Sequence, residues 1–340
     1  MTLFGSRHRF VSTIACALLA SFLVINGCAG PGTVIPRSWP DEYRSPERIL
    51  HRFRPGDTPA LLAQKYLGNA GLAWMVEDAN GATSFTANRF IVIPLKIPNR
   101  GGIERNGYQT VPILCYHRFA ASCDSPLCMP AATFERQLRY LRDNGYRVIG
   151  PEALAAFLDY RQAIPKKAIM ITIDDGYRSV YDVAYPLLKK YGYTATLFIY
   201  VNFVGVSGQA ITWDQLRKLK RAGFSIGSHS IAHSDLSKMK ADETEKDYLA
   251  RLKQEIFRSK QVIDAKLDQN TMIFAYPFGR HNAVSVSMAR QAGYKLAVTV
   301  DRGGNPFFTD PYLLKRDQIL KRNVTVFTSR LKTFTHDSLR

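Results

Sequence analysis

The chain has 340 residues, 46% of them hydrophobic, and a formal net charge of +18 from 46 Lys+Arg against 28 Asp+Glu. Length and apolar content exclude a disordered or low-complexity polymer and suit one large core with a second small unit. The charge calls for an anionic neighbour, but the N-terminus argues against nucleic acid. Arg7 and Arg9 precede an apolar run from Phe10 to Ile25. These are the charged and hydrophobic regions of an export signal, and the run is short for a membrane span. An exported chain meets lipid head groups or an anionic envelope polymer instead.

The apolar run closes on "VINGC", which resembles the lipobox of bacterial lipoproteins. The resemblance implies removal of residues 1–27, Cys16 among them, and lipidation of Cys28. A plain signal peptide or an uncleaved anchor is the alternative. Ala29 follows the cysteine, and in a Gram-negative cell the lipoprotein rule then implies the outer membrane, facing the periplasm. Residues 28–47 are rich in Pro, Gly and charge and read as a linker off the membrane. Residues 48–97 give a short strand, a "PGDT" turn in which Asp57 or Thr58 can cap a helix, helical stretches "PALLAQKYLG" and "GLAWMVEDANG", and a closing strand "RFIVIP". With "GDT" at the start, Asn80 after the second helix and "IP" at the end, this segment resembles a LysM domain. That implies binding of chains containing N-acetylglucosamine; the plain alternative is a small α+β spacer that binds nothing.

From residue 108 the chain alternates strand and helix. Strands are expected at 110–116, 146–149, 168–173, 194–201, 224–228, 272–276 and 295–300, and helices at 133–143, 151–159, 180–190, 212–222, 244–265 and 284–292. Such alternation calls for parallel strands, in a barrel or an open doubly wound sheet. Cys123 and Cys128, in "CDSPLC", are near enough to close a small disulfide loop in an oxidising compartment, or stay as two thiols. Cys115 reads as a small core residue.

The residues that follow each strand share a character. "VPILCYH" delivers His117, "MITI" delivers Asp174 and Asp175, and "SIGS" delivers His229 with His233 four residues on. "IFAY" delivers Pro277, Phe278 and Gly279, and "LAVTV" delivers Asp301 and Arg302. In a β/α barrel the C-terminal strand ends form one face, where active sites are built. Two imidazoles and a carboxylate are the ligand set of a catalytic divalent cation with an open position. One of the paired carboxylates suffices as ligand, so the other is free to act as a general base. Gly176 lets the chain turn away sharply.

Together "ITIDDGY", "IGSHSIAH" and "AYPFG" resemble the first three motifs of the NodB-homology polysaccharide deacetylases, carbohydrate esterase family 4, across about 108–325. The resemblance implies a distorted (β/α)7 barrel and metal-dependent hydrolysis of N-acetyl groups on amino sugars. It makes Asp174 the base, Asp175, His229 and His233 the ligands of a divalent ion such as Zn²⁺, and the Phe278 N–H, in the Tyr276–Pro277–Phe278–Gly279 stretch, an oxyanion donor. Two landmarks differ. Ala275 and Tyr276 stand where the family has an arginine, and the usual late histidine is missing, His336 lying in the polar tail "KTFTHDS". The early "ILCYHRF" is similar to the branch that deacetylates poly-β-1,6-N-acetylglucosamine, which implies His117 as general acid. Arg316, in "LLKRDQI", is a candidate substitute for the missing arginine. The rival readings are a non-catalytic glycan-binding lipoprotein of the envelope and an esterase that removes O-acetyl groups.

Overall fold

The protein is described by a computed structural model covering residues 40–96, 99–320 and 323–337. The signal segment 1–27, Cys16, the lipidation site Cys28 and the linker up to residue 39 lie outside the described residues. Among the described residues, no helix is long and apolar enough to cross a membrane.

The first module contains β1 (Glu42–Arg44), β2 (Arg48–Arg52), helix α1 (Pro59–Leu67), helix α2 (Ala73–Asn80) and β3 (Phe90–Pro94). Its strands form an antiparallel sheet with β2 in the middle. Local chemistry sets the boundaries. Thr58 caps α1 by accepting from the Leu61 N–H at 3.1 Å, and Gly68 ends it with φ 76°. Asp57 accepts from the Arg54 N–H and pairs with His51, which fixes the turn. The Asn80 amide donates to Val76 O and Val92 O and accepts from the Val92 N–H, tying the end of α2 to β3. Ile49, Leu62, Ala63, Val76, Ile91 and Ile93 form the module's own core.

The second module is a seven-stranded parallel sheet: β4 (Ile113–Tyr116), β5 (Ala168–Ile173), β6 (Thr196–Ile199), β7 (Ser225–Ser228), β8 (Ile273–Ala275), β9 (Leu296–Val298) and β10 (Asp317–Gln318), in the order 9-8-7-6-5-4-10. The sheet closes on itself through the segment leading into β10. The Leu314 N–H donates to Ala297 O and the Thr299 N–H to Leu314 O, while Asp317 and Gln318 pair with Leu114 and Cys115. The result is a distorted (β/α)7 barrel, with a different seventh strand from the one its sequence suggests. The expected strand 146–149 shortens to Arg147–Val148 and pairs only with the start of β5, off the barrel path. The barrel is closed instead by β10, two residues long in a charged stretch, where period-two patterning has nothing to register. The expected helix 180–190 is helical, opening with a wide turn at Val180–Ala184 before Tyr185–Lys190, and 244–265 is helical from Glu245–Lys253 through a wide turn at Gln254–Arg258 to Ser259–Leu267. His336 does belong to a strand: Phe334–His336 pairs with Gly107–Gln109 outside the barrel, and the histidine is exposed.

Alternation along the strands sorts their side chains. Ile169, Ile171 and Ile173 join Leu114, Tyr116, Leu197 and Ile199 under the helices. Ala168 and Met170 face inward with Ile113, Phe198, Ile273, Ala275, Leu296 and Val298. Continuing the inward parity of β5 gives Thr172 and then Asp174, so the barrel interior turns from apolar to polar toward its C-terminal end. Gly227 is part of that packing: a Cβ there would meet the Phe198 ring at 2.6 Å.

Candidate metal centre and catalytic face

At the end of β5 the backbone leaves the extended conformation. Asp175 has φ 75° and Gly176 φ 88°, and this left-handed pair separates the two neighbouring carboxylates. After β7, Ser230 and His233 also take positive φ, 75° and 57°, and non-glycine residues persist there only where surroundings hold them. The holding group is Glu255, buried in the wide turn between the two helices. Its Oε2 accepts from the Ile231 and Ala232 N–H groups at 2.9 Å, and its Oε1 from the Ser234 hydroxyl at 2.8 Å. The Ser230 hydroxyl accepts from the His233 N–H at 3.0 Å. The pair of histidines is thus presented by a turn, not a helix.

These loops bring Asp175, His229 and His233 together. Asp175 Oδ1 lies 3.7 Å from His229 Nε2 and 3.6 Å from His233 Nε2, and the three potential ligand atoms lie within 4.8 Å of one another. His229 donates from Nδ1 to Ala275 O at 2.8 Å, which leaves the Nε2 lone pair facing Asp175. Burial holds His229 down at about 3 and lowers His233, so both rings are neutral donors. Burial and the neighbouring Asp174 charge push the Asp175 carboxyl up to about 7. A crowded carboxylate of raised proton affinity between two neutral imidazoles is the donor set of a divalent cation, and the triad fits one.

Beside the triad lies a buried ion pair. Arg316 donates through Nη1 to Asp174 Oδ1 at 2.7 Å and through Nη2 to Asp174 Oδ2 at 2.8 Å. The same guanidinium donates to Thr299 O and the Thr172 hydroxyl and rests over the Phe198 ring. Arg316 is fully buried, and the closing segment of the barrel delivers it. Burial alone would raise the Asp174 carboxyl, but the charge of Arg316 and its hydrogen bonds outweigh it and hold it well below the usual carboxylate range. On the other side, the Cys115 thiol donates to Asp174 Oδ2 at 3.5 Å, and ring nitrogen, thiol and carboxylate of His117, Cys115 and Asp174 lie within 4.8 Å. Burial lowers the His117 pKa against the pull of Asp174.

The Pro277–Phe278–Gly279 turn follows β8. Phe278 has φ 59° and ψ 9°, the residue is 55% exposed, and its ring centroid is 4.5 Å from that of His233. Gly279 is required: at φ 69° a Cβ would meet Val300 Cγ2 at 2.4 Å. Tyr276 is a different matter. Its ring packs in the outer layer with Phe274 and Tyr294, so strand alternation carries its side chain away from the inward-facing Ala275. Cys123 and Cys128 are joined in a disulfide across Cα atoms 5.5 Å apart. Two contributors escape sequence reasoning. Cys115 is legible in hindsight by parity with Ile113, whereas Glu255 gives no signal within a charged helical stretch.

The geometry has counterparts. A family model for polysaccharide deacetylase matches residues 161–297. The Bacillus subtilis protein YxkH, whose name places it among the polysaccharide deacetylases, is 32% identical over 209 residues, 62% of this chain and 71% of that protein. The Staphylococcus aureus poly-beta-1,6-N-acetyl-D-glucosamine N-deacetylase is 26% identical over 188 residues, 53% of this chain, and the match spans 64% of its own length. Among solved structures, the Streptococcus pyogenes deacetylase PplD in complex with acetate superposes with TM-score 0.59 at 28% identity, covering 66% of this chain and 98% of that one. IcaB from Ammonifex degensii gives TM-score 0.56 at 26% identity over 62% and 92% of the two chains. The chain belongs to the polysaccharide deacetylase family.

Proposed function

We propose that the protein is a metal-dependent N-deacetylase of a polysaccharide containing N-acetylglucosamine in the cell envelope. One observation carries this reading: the Asp175–His229–His233 triad stands beside a second carboxylate, Asp174, that Arg316 keeps ionised. Asp175, His229 and His233 would hold a divalent cation, Zn²⁺ in our reading, which when bound would supply Lewis acidity to the hydrolysis. Asp174 accepts the proton of the attacking water. The turn at Phe278 offers its N–H to the developing oxyanion. His117, whose pKa burial lowers, takes up a proton from solvent and gives it to the departing amine, which leaves poorly without one. The "ILCYHRF" stretch and the likeness to the staphylococcal enzyme favour a β-1,6-linked polymer.

Other segments extend the proposal. Residues 48–97 are a LysM-like glycan-binding module, a reading supported by the strand–helix–helix–strand core and the Asn80 tie. "VINGC" supports a lipid anchor on Cys28 at the outer membrane, facing the periplasm. The test is acetate release by the purified protein, loaded with Zn²⁺ or stripped by chelator, from β-1,6- and β-1,4-linked N-acetylglucosamine oligomers. Metal-dependent release, faster from the β-1,6 series, is expected; glycan binding without release from any oligomer would overturn the enzymatic reading.

A further inference from the structure

A groove of about 470 Å³ opens beside the catalytic face. Its lining is continuous in sequence with the site: Arg118 follows His117, and Tyr177 lies two residues beyond Asp175. Phe119, Asp124, Arg178 and Gln209 complete the walls. The two sides are tied together. The Ser179 hydroxyl accepts from the Phe119 N–H at 3.0 Å, and Gln209 O accepts from the Arg178 N–H at 2.7 Å. The outer wall is a small parallel pair, Arg118–Ala120 with Cys128–Pro130, and the Cys123–Cys128 disulfide closes the loop between them.

The groove's chemistry suits a sugar. Tyr177, held edge-on by Phe203 at 5.3 Å, offers an aromatic face to the C–H side of a pyranose. Two arginines and two aspartates, Arg118, Arg178, Asp124 and Asp182, bring no net charge, which favours a neutral ligand with hydroxyls over an anion or a cation. Arg178 is engaged with Asp182 at 3.0 Å. The Arg118 guanidinium has no ion-pair partner among the described residues, so its donors remain for hydroxyl or carbonyl oxygens of a ligand.

We propose that this groove binds the hexosamine residue adjacent to the one being deacetylated, and that the disulfide holds its wall in the binding position. The proposal rests on the deacetylase reading above. Binding energy gathered there seats the reacting sugar without touching the acetamide. Three variants test it: Arg118→Ala, Tyr177→Ala and the double variant Cys123→Ser/Cys128→Ser. Each is assayed with a β-1,6-linked N-acetylglucosamine tetramer, and its Zn²⁺ content and melting temperature are checked against the parent. In parallel, calorimetry measures tetramer binding to the same changes made in an Asp174→Asn background. The expected result is a KM raised at least tenfold with kcat within twofold, and a Kd raised by a similar factor. Unaltered KM and Kd in all three variants would overturn the proposal, as would a fall in kcat at unchanged KM. Should the parent release no acetate, the deacetylase reading fails by itself. The calorimetric arm still decides the groove, whose variants must then lose tetramer affinity.

Discussion

Two-point donation from Arg316 to Asp174 decides what that carboxylate is able to do. A buried aspartate without a partner would take up a proton and lose its value as an acceptor. Clasped by the guanidinium, it stays charged and fixed in orientation through the working range of pH. Asp174→Asn keeps the size and removes the charge; acetate release is expected to fall at least a thousandfold while Zn²⁺ content, read by atomic absorption, stays near one per chain. Arg316→Met leaves a buried carboxylate uncompensated. From the cost of breaking such pairs it is expected to lose about 3–5 kcal/mol of stability in denaturant titration of the metal-free protein. Arg316→Lys keeps the charge and loses the fork, so it should recover part of that stability but little activity.

Among the elements, the loop after β7 shows how far a metal site reaches. Ile231, Ala232 and Ser234 donate to Glu255, and the residues flanking them, Ser230 and His233, take left-handed conformations. Glu255→Ala frees that loop, and Zn²⁺ affinity is expected to drop about 10–100-fold in competition with a chromophoric chelator, as when a supporting partner of a metal ligand is removed. A second clasp holds the far side. Arg251 donates to both Glu243 carboxylate oxygens, to the Asp235 and Lys238 carbonyls and to the Ser234 hydroxyl. The hydrogen bonds from Arg251 keep the Glu243 carboxyl at about 2, against an ordinary value of 4.5. The folded pKa is depressed, so the stabilisation is complete above pH 4.5 and fades as pH falls toward 2. The melting-temperature gap between the parent and Glu243→Gln should therefore be steady above pH 5 and shrink on acidification below 4.5. None of this is legible in the sequence, because Arg251 and Glu255 look like the solvated charges of any amphipathic helix and Glu243 like one of the loop before it. The candidate ligands themselves are legible, since a run of β-branched residues pins β5 and each short polar tip follows an apolar strand.

Taken whole, the molecule joins its two modules through charge. Arg147 donates to Glu77, and the Lys166 N–H donates to Asp78 at 3.0 Å. Charge reversal at Glu77 to Arg sets two cations face to face, and faster tryptic cleavage between residues 95 and 106 is the expected readout, with barrel-dependent activity retained. The overall alternation of strand and helix declares a parallel sheet, and the family resemblance the barrel, but its closure escapes notice because two paired residues carry no periodic signal. That closing segment has a consequence in time. Residues 314–319 come after every other barrel strand in chain order, and they bring the cation that keeps Asp174 charged. In chain order six strands and Asp175, His229 and His233 are complete before the counter-ion of Asp174 is reached. A fragment ending before Arg316 would keep Asp175, His229 and His233 in its sequence and lack the cation that pairs with Asp174.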